Sequence, residues 1–215
     1  MKIVILSSKD NWIYSKIDNL IIKLKNNKHQ VNKVNHYQKI KKCDILFIIG
    51  YHNIVPNKYI NLSKVPLVLH ESKLPKGRGW SPMTWEILKK KKIIYFTLFR
   101  ANKKVDSGEI YLQKIIKLTG VELYDEIKKI QYNMTEKIFI EFISKYPKIL
   151  KEGKLQKGKA SYYKKRFPIN SRVIFNNKIS EIFDLLRVSS YLDYPVYFIH
   201  KGKKFKLKLE NYEEK

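Results

Sequence analysis

A doubly wound α/β core followed by a small helix-plus-hairpin extension is what this sequence predicts, and three observations predict it. Residues 2–7 (KIVILS) and 44–50 (DILFIIG) are apolar runs with little polar alternation, the pattern of central strands buried on both faces. Between them, residues 11–24 carry Trp12, Ile13, Ile17, Leu20, Ile21 and Leu24 at helical spacing, an amphipathic helix. After Tyr146-Pro147 the character changes to a Lys/Gly-rich connector. The expected division is therefore a core over residues 1–147 and an extension over 148–215.

The remaining elements follow in order. Residues 30–34 form a short strand, and the loop 51–56 (YHNIVP) ends on Pro56, whose fixed φ suits the first turn of a helix. Residues 66–69 are the strand that delivers His70. Residues 82–88 read as a short helix with Ser81 as N-cap and Pro82 at its first position. Two strands, 94–99 and 110–116, flank the polar loop 100–106. The longest helix, 123–142, lines up Leu123, Ile127, Ile130, Met134, Ile138 and Phe142 in one core-facing stripe. In the extension, 160–168 (ASYYKKRFP) interleaves aromatic and basic residues, 179–188 is a small helix, and 196–199 with 205–209 form a hairpin.

Composition narrows the function. The formal charge is +26, which invites a nucleic-acid reading. Only five of the 45 basic residues are arginines, however: Arg78, Arg100, Arg166, Arg172 and Arg187. The lysines are spread along the whole chain beside Asn, Ile and Tyr, so the charge reads as compositional and no specific nucleic acid is expected. Cys43 is the single cysteine, so no intrachain disulfide forms; it reads as a core residue. The start is too short an apolar run for a signal peptide, and no run reaches the ~20 apolar residues of a membrane span. A cytoplasmic protein is expected. Gly77 and Gly79 do not build the dinucleotide fingerprint, and Ser7-Ser8-Lys9 follows the first strand, so no nicotinamide cofactor is expected.

The chemistry concentrates between His70 and Gln113. His70 opens HESKLPKGRGWSPMTW at a strand end, and Asp106 sits in the turn of VDSGEIYLQ; loops on a rigid sheet are where catalytic side chains are exposed. The order H-x-S-x-L-P-K-x-R-G-x-x-P, then T-L-F, then V-D-S-G-E-I resembles the folate-dependent formyltransferase family. That family includes methionyl-tRNA formyltransferase, glycinamide ribonucleotide formyltransferase and the sugar-nucleotide N-formyltransferases. The resemblance is clear over residues 47–113 and weaker to the C-terminus; the Trp80-Ser81-Pro82 variant is most similar to the short sugar N-formyltransferases of surface-glycan pathways. One departure stands out: Val68 occupies the place of the family's usual asparagine in N-x-H, leaving the oxyanion-stabilising role unassigned.

The resemblance implies a Rossmann-like core that moves a formyl group from N10-formyltetrahydrofolate to an amine, and, on the closer likeness, to the amine of a nucleotide-linked amino sugar such as a UDP- or dTDP-4-amino-4,6-dideoxy sugar. His70 and Asp106 would be catalytic: imidazole exchanges protons near neutral pH, and a carboxylate within reach orients it. The two are expected to meet because loops at the carboxyl ends of parallel strands converge on one crevice. The reduced folate would contact His52, Asn53, Ile54, Trp80, Asn102, Lys103, Lys104, Val105 and Asp106; His52-Asn53 is also the nearest replacement for the missing asparagine. Ser72 falls on its motif position, while Lys76 and Arg78 suit a diphosphate, and Tyr162, Lys165 and Arg166 are the extension's candidates for the acceptor. No metal site is expected. A homodimer is compatible with this reading. Two alternatives stay open: a methionyl-tRNA formyltransferase, and a basic nucleic-acid-binding module that keeps the fold without the chemistry, which Val68 favours.

Overall fold

The computed structural model describes residues 1–212; residues 213–215, the end of the expected extension, lie outside the described residues. In chain order the elements are β1 (Lys2–Leu6), α1 (Ile17–Asn26), β2 (Gln30–Val34), β3 (Cys43–Ile48), α2 (Asn57–Ile60), β4 (Ser63–His70) and β5 (Arg78–Gly79). They continue with α3 (Pro82–Leu88), β6 (Ile93–Arg100), β7 (Ile110–Lys117), α4 (Tyr124–Lys145), β8 (Tyr162–Tyr163), α5 (Ile179–Val188), β9 (Val196–His200) and β10 (Lys203–Leu207).

Six strands make the central sheet, in the order β2-β1-β3-β4-β6-β7. The first four are mutually parallel, whereas β6 runs antiparallel to β4 and β7 antiparallel to β6. The α/β core is thus mixed: neighbouring strands β6 and β7, joined by a short loop, have to run in opposite directions.

Strand alternation sorts the apolar side chains onto two faces. Ile3, Ile5, Ile45, Phe47, Leu67 and Leu69 join the larger core under α1, α3 and α4. There Phe47 stacks on Phe139 with ring centroids 3.8 Å apart, and Phe142 meets it edge-on. Val4, Leu6, Leu46 and Ile48 belong to a second cluster with Ile40, Val55 and Ile60. A third, small cluster of Val173, Ile182 and Val196 lies within the extension, where β9 and β10 form the expected hairpin.

Three local expectations change. Helix α1 begins at Ile17, not at residue 11, because Asn11 turns its Oδ1 back to accept from the Ile13 N–H at 3.1 Å, which favours a turn over a helix. Pro56 is the residue before α2 instead of its first. Ser81 does precede α3, but at φ 46° its side chain makes no capping bond.

Candidate active site

β4 is a nearly continuous apolar strand whose last residue is His70, and Val68, two positions earlier, shares its face. Val68 packs against the second apolar cluster, so the place of the usual asparagine is filled by a core contact. The His70 ring is buried, with Nε2 2.8 Å from the Gly77 carbonyl oxygen. A carbonyl only accepts, so Nε2 carries the hydrogen and, in the neutral ring, Nδ1 is the nitrogen free to take a proton. Gly77 has φ 74°, and a Cβ there would lie 2.9 Å from the Tyr163 ring and 3.0 Å from the Ser72 Cβ, so only glycine brings this carbonyl to the imidazole. Beside His70, Thr97 of β6 donates to the Ser72 carbonyl at 2.6 Å and accepts from Gln113 at 3.0 Å. That contact fixes the chain as it leaves the strand.

Asp106 arrives from the β6–β7 loop at φ 52°. Its Oδ2 accepts the Gly79 N–H at 3.0 Å. The loop closes tightly on Gly108, where a Cβ would stand 1.7 Å from the Arg100 carbonyl oxygen; no side chain fits. Ser107 braces it further through Asn102 and the Lys104 carbonyl. His70 and Asp106 therefore grip the same turn, at Gly77 and at Gly79, and among the described residues no hydrogen bond joins them directly. Nor do both come from carboxyl ends of parallel strands: β6 is antiparallel, and its end at Arg100 lies opposite Leu67, three residues before His70. The turn spans that offset.

The extension forms part of this site. β8 pairs in parallel with β5, through Arg78 N–H to the Ser161 carbonyl at 2.9 Å and Trp80 N–H to the Tyr163 carbonyl at 3.2 Å. Tyr163 donates to the Glu86 carboxylate, and Trp85 donates to the Lys164 carbonyl, so α3 holds the strand in place.

The expected site residues separate into three groups. At one rim His52, Trp80 and Lys165 come together: the His52 and Trp80 rings lie 6.4 Å apart at 15°, and the Lys165 amine sits 4.8 Å from the Trp80 centroid. Exposed around the site are Asn53, Ile54, Lys76, Asn102, Lys103, Lys104 and Val105. Turned inward are Ser72 and Arg78, both buried. The Ser72 side chain is sealed beneath Gly77, and Arg78 spends its Nη2 on Gln156 Oε1 at 2.7 Å with Tyr162 beside it. Arg166 is likewise withdrawn, bonding Ser171 within the extension, and burial lowers its pKa from the usual value. No group of three His, Cys, Asp or Glu suited to a metal ion occurs among the described residues.

The family model described as formyl transferase matches residues 1–143, two thirds of the chain and every strand and loop just described except the extension. The chain belongs to the formyl transferase family. Among its relatives is the bifunctional polymyxin resistance protein ArnA of Wigglesworthia glossinidia brevipalpis, 30% identical over 159 residues, which cover 72% of this chain and 24% of that protein. Several other curated relatives are methionyl-tRNA formyltransferases, and the chain spans between 24% and 59% of the length of ArnA and of these enzymes. Among solved structures, a methionyl-tRNA formyltransferase from Clostridium thermocellum superposes with a TM-score of 0.80 at 18% identity, covering 99% of this chain and 94% of that one. A sugar N-formyltransferase from Shewanella sp. does so at 0.73 and 18% identity, covering 100% and 99%. These likenesses confirm the formyltransferase fold of the core and the extension alike.

One site-supporting residue, Gln156, escaped the sequence reading, since it lies in a connector with no periodicity; Thr97 stood in the T-L-F motif but was given no role there.

Proposed function

We propose that this chain transfers the formyl group of N10-formyltetrahydrofolate to the amine of a nucleotide-linked amino sugar. The family supports formyl transfer; the observation that carries the acceptor is the Lys165 amine over the Trp80 ring with the exposed Lys76 on the same turn-bearing segment, where Trp80 stands between the acceptor side and His52 on the expected folate side. A planar base and a diphosphate need such a pairing of π-face and positive charge. The amine nitrogen attacks the formyl carbon, a C–N bond forms, and negative charge builds on the formyl oxygen. The proton shed by the attacking nitrogen passes to His70 Nδ1, and N10 leaves with a proton as tetrahydrofolate is released. Asp106 offers its second carboxylate oxygen beside the Gly79 turn to orient the amine. With valine at position 68, the oxyanion relies on backbone N–H groups or on the imidazolium.

A second reading, formylation of methionyl-tRNA, rests on the likeness to the Clostridium thermocellum enzyme and on the positive charge. Incubation with formyl donor and a panel of UDP- and dTDP-amino sugars, read by mass, distinguishes them. Formylation of an amino sugar at a rate well above that of methionyl-tRNA is expected; the reverse order overturns the sugar reading.

A further inference from the structure

We propose that Gln156, in the connector after the long helix, is a positioning residue that aims the Asp106 carboxylate; this rests on the reading of Asp106 as part of the formyl-transfer site. Its side-chain amide spends both donors and one acceptor. Nε2 donates to the Asp106 carbonyl at 3.0 Å and to the Gly108 carbonyl at 2.9 Å, while Oε1 accepts from Arg78 Nη2 at 2.7 Å. Only one orientation of the amide satisfies all three, since two carbonyls demand donors and a guanidinium demands an acceptor.

The contacts close a ring. Asp106 Oδ2 holds the Gly79 N–H, Gly79 follows Arg78, Arg78 holds Gln156, and Gln156 returns to the Asp106 carbonyl. Asp106 sits at φ 52°, a left-handed conformation that Asp tolerates better than most side chains and that the bond to its own carbonyl helps to hold. Gln156 supplies that hold from 50 residues away. The connector is brought alongside by Lys154, whose N–H and carbonyl pair with Ile110 at 2.9 and 2.8 Å. Gly153 helps, because a Cβ there would meet the Tyr111 ring at 3.0 Å. An apolar side chain of similar length would fill the same space. What Gln156 adds is a pair of donors on the carbonyls of the loop that carries the carboxylate.

Amide hydrogen exchange of the full chain by NMR tests this without any substrate. Gln156→Met removes all three bonds at nearly constant volume; Gln156→Glu keeps an acceptor for Arg78 but removes both donors. Both variants are expected to speed exchange of the Gly79 amide about tenfold, the loss of one net hydrogen bond. The Arg78 and Trp80 amides, bonded to β8, should stay within about twofold. In turnover, Gln156→Met should lower kcat about tenfold with the KM for N10-formyltetrahydrofolate nearly unchanged, and should add little in an Asp106→Asn background, because two groups acting through one carboxylate are not additive.

An equal rise at Arg78, Gly79 and Trp80 would make Gln156 a mere brace of the turn and overturn the proposal. So would a Gln156→Glu variant that matches wild type, since Gln156 would then serve Arg78 alone. If Asp106→Asn keeps full kcat, the site reading itself fails, whereas an unaltered Gly79 amide in Gln156→Met sinks the positioning role whatever Asp106 does.

Discussion

On one face of the central sheet, Ile5, Phe47, Leu67 and Leu69 join the large apolar cluster with residues of α1, α3 and α4, and Phe47 stacks on Phe139 with Phe142 edge-on. On the other, Leu6, Leu46 and Ile48 are covered by the four-residue helix α2 and by loops, and the sheet ends in a polar corner of His70, Thr97 and the Gly77 carbonyl. Strand β4 serves both, with Leu69 on the first face and His70 on the second. The difference teaches that one strand can commit alternate residues to the apolar core and to a candidate site, because successive side chains point to opposite sides. Long-helix cover excludes water and maximises apolar burial. Loop cover admits polar groups such as His70 and Thr97, which the structure pairs with backbone carbonyls.

The largest effect is expected on the loop-covered face. His70→Asn should cost about 10² to 10⁴ in kcat, the usual worth of a positioned base, while leaving the unfolding midpoint nearly unchanged. A variant with normal kcat would move the proton transfer elsewhere, with His52 the next residue to change. On the sealed face the pattern should invert. Phe142→Ala, at a fully buried ring, should lose about 3–5 kcal/mol of stability in urea unfolding while the folded fraction keeps its kcat. If instead kcat collapses in the folded fraction, the two faces are not separable.

A pH test sharpens the joint between core and extension. Burial pushes the Glu122 carboxyl up, but N–H groups of Thr119 and Gly120 and the Thr119 hydroxyl outweigh it and hold the pKa at about 2. Arg187 of α5 adds a cation 3.6 Å away. A carboxylate lowered in the folded state contributes stability that is complete above its ordinary value near 4.5 and is lost as the pH falls toward 2. Glu122→Gln should therefore weaken the protein at pH 7 and lose less on acidification than wild type does. Parallel curves for the two, measured by chemical denaturation from pH 7 to pH 3, would break this assignment. The smallest effect is expected at the rim: Lys165→Ala removes a cation–π contact of about 0.5–1 kcal/mol, so the KM of the amino-sugar acceptor should rise roughly two- to fivefold with the folate KM unchanged. Equal changes in both would detach Lys165 from the acceptor.

By itself the sequence determined most of the elements and the family. Apolar periodicity located strands β1 to β4, β6 and β7 and helices α4 and α5, because side-chain period depends only on local backbone geometry, whereas the two-residue strand β5 went unread. The motif from His70 to Asp106 named the family. What only the tertiary structure decided depends on contacts between distant segments. The antiparallel turn of β6 sets where Asp106 enters, and Asn11 delays the start of α1. Ser72 stood out by its motif position and Arg78 by its charge, but only the packing around the strand pair β5–β8 shows that both are buried. Gln156 has no local pattern to betray it, since its partners stand 48 to 78 residues away. Local geometry is written in neighbouring residues, whereas a hydrogen bond across the fold exists only once the chain has closed on itself.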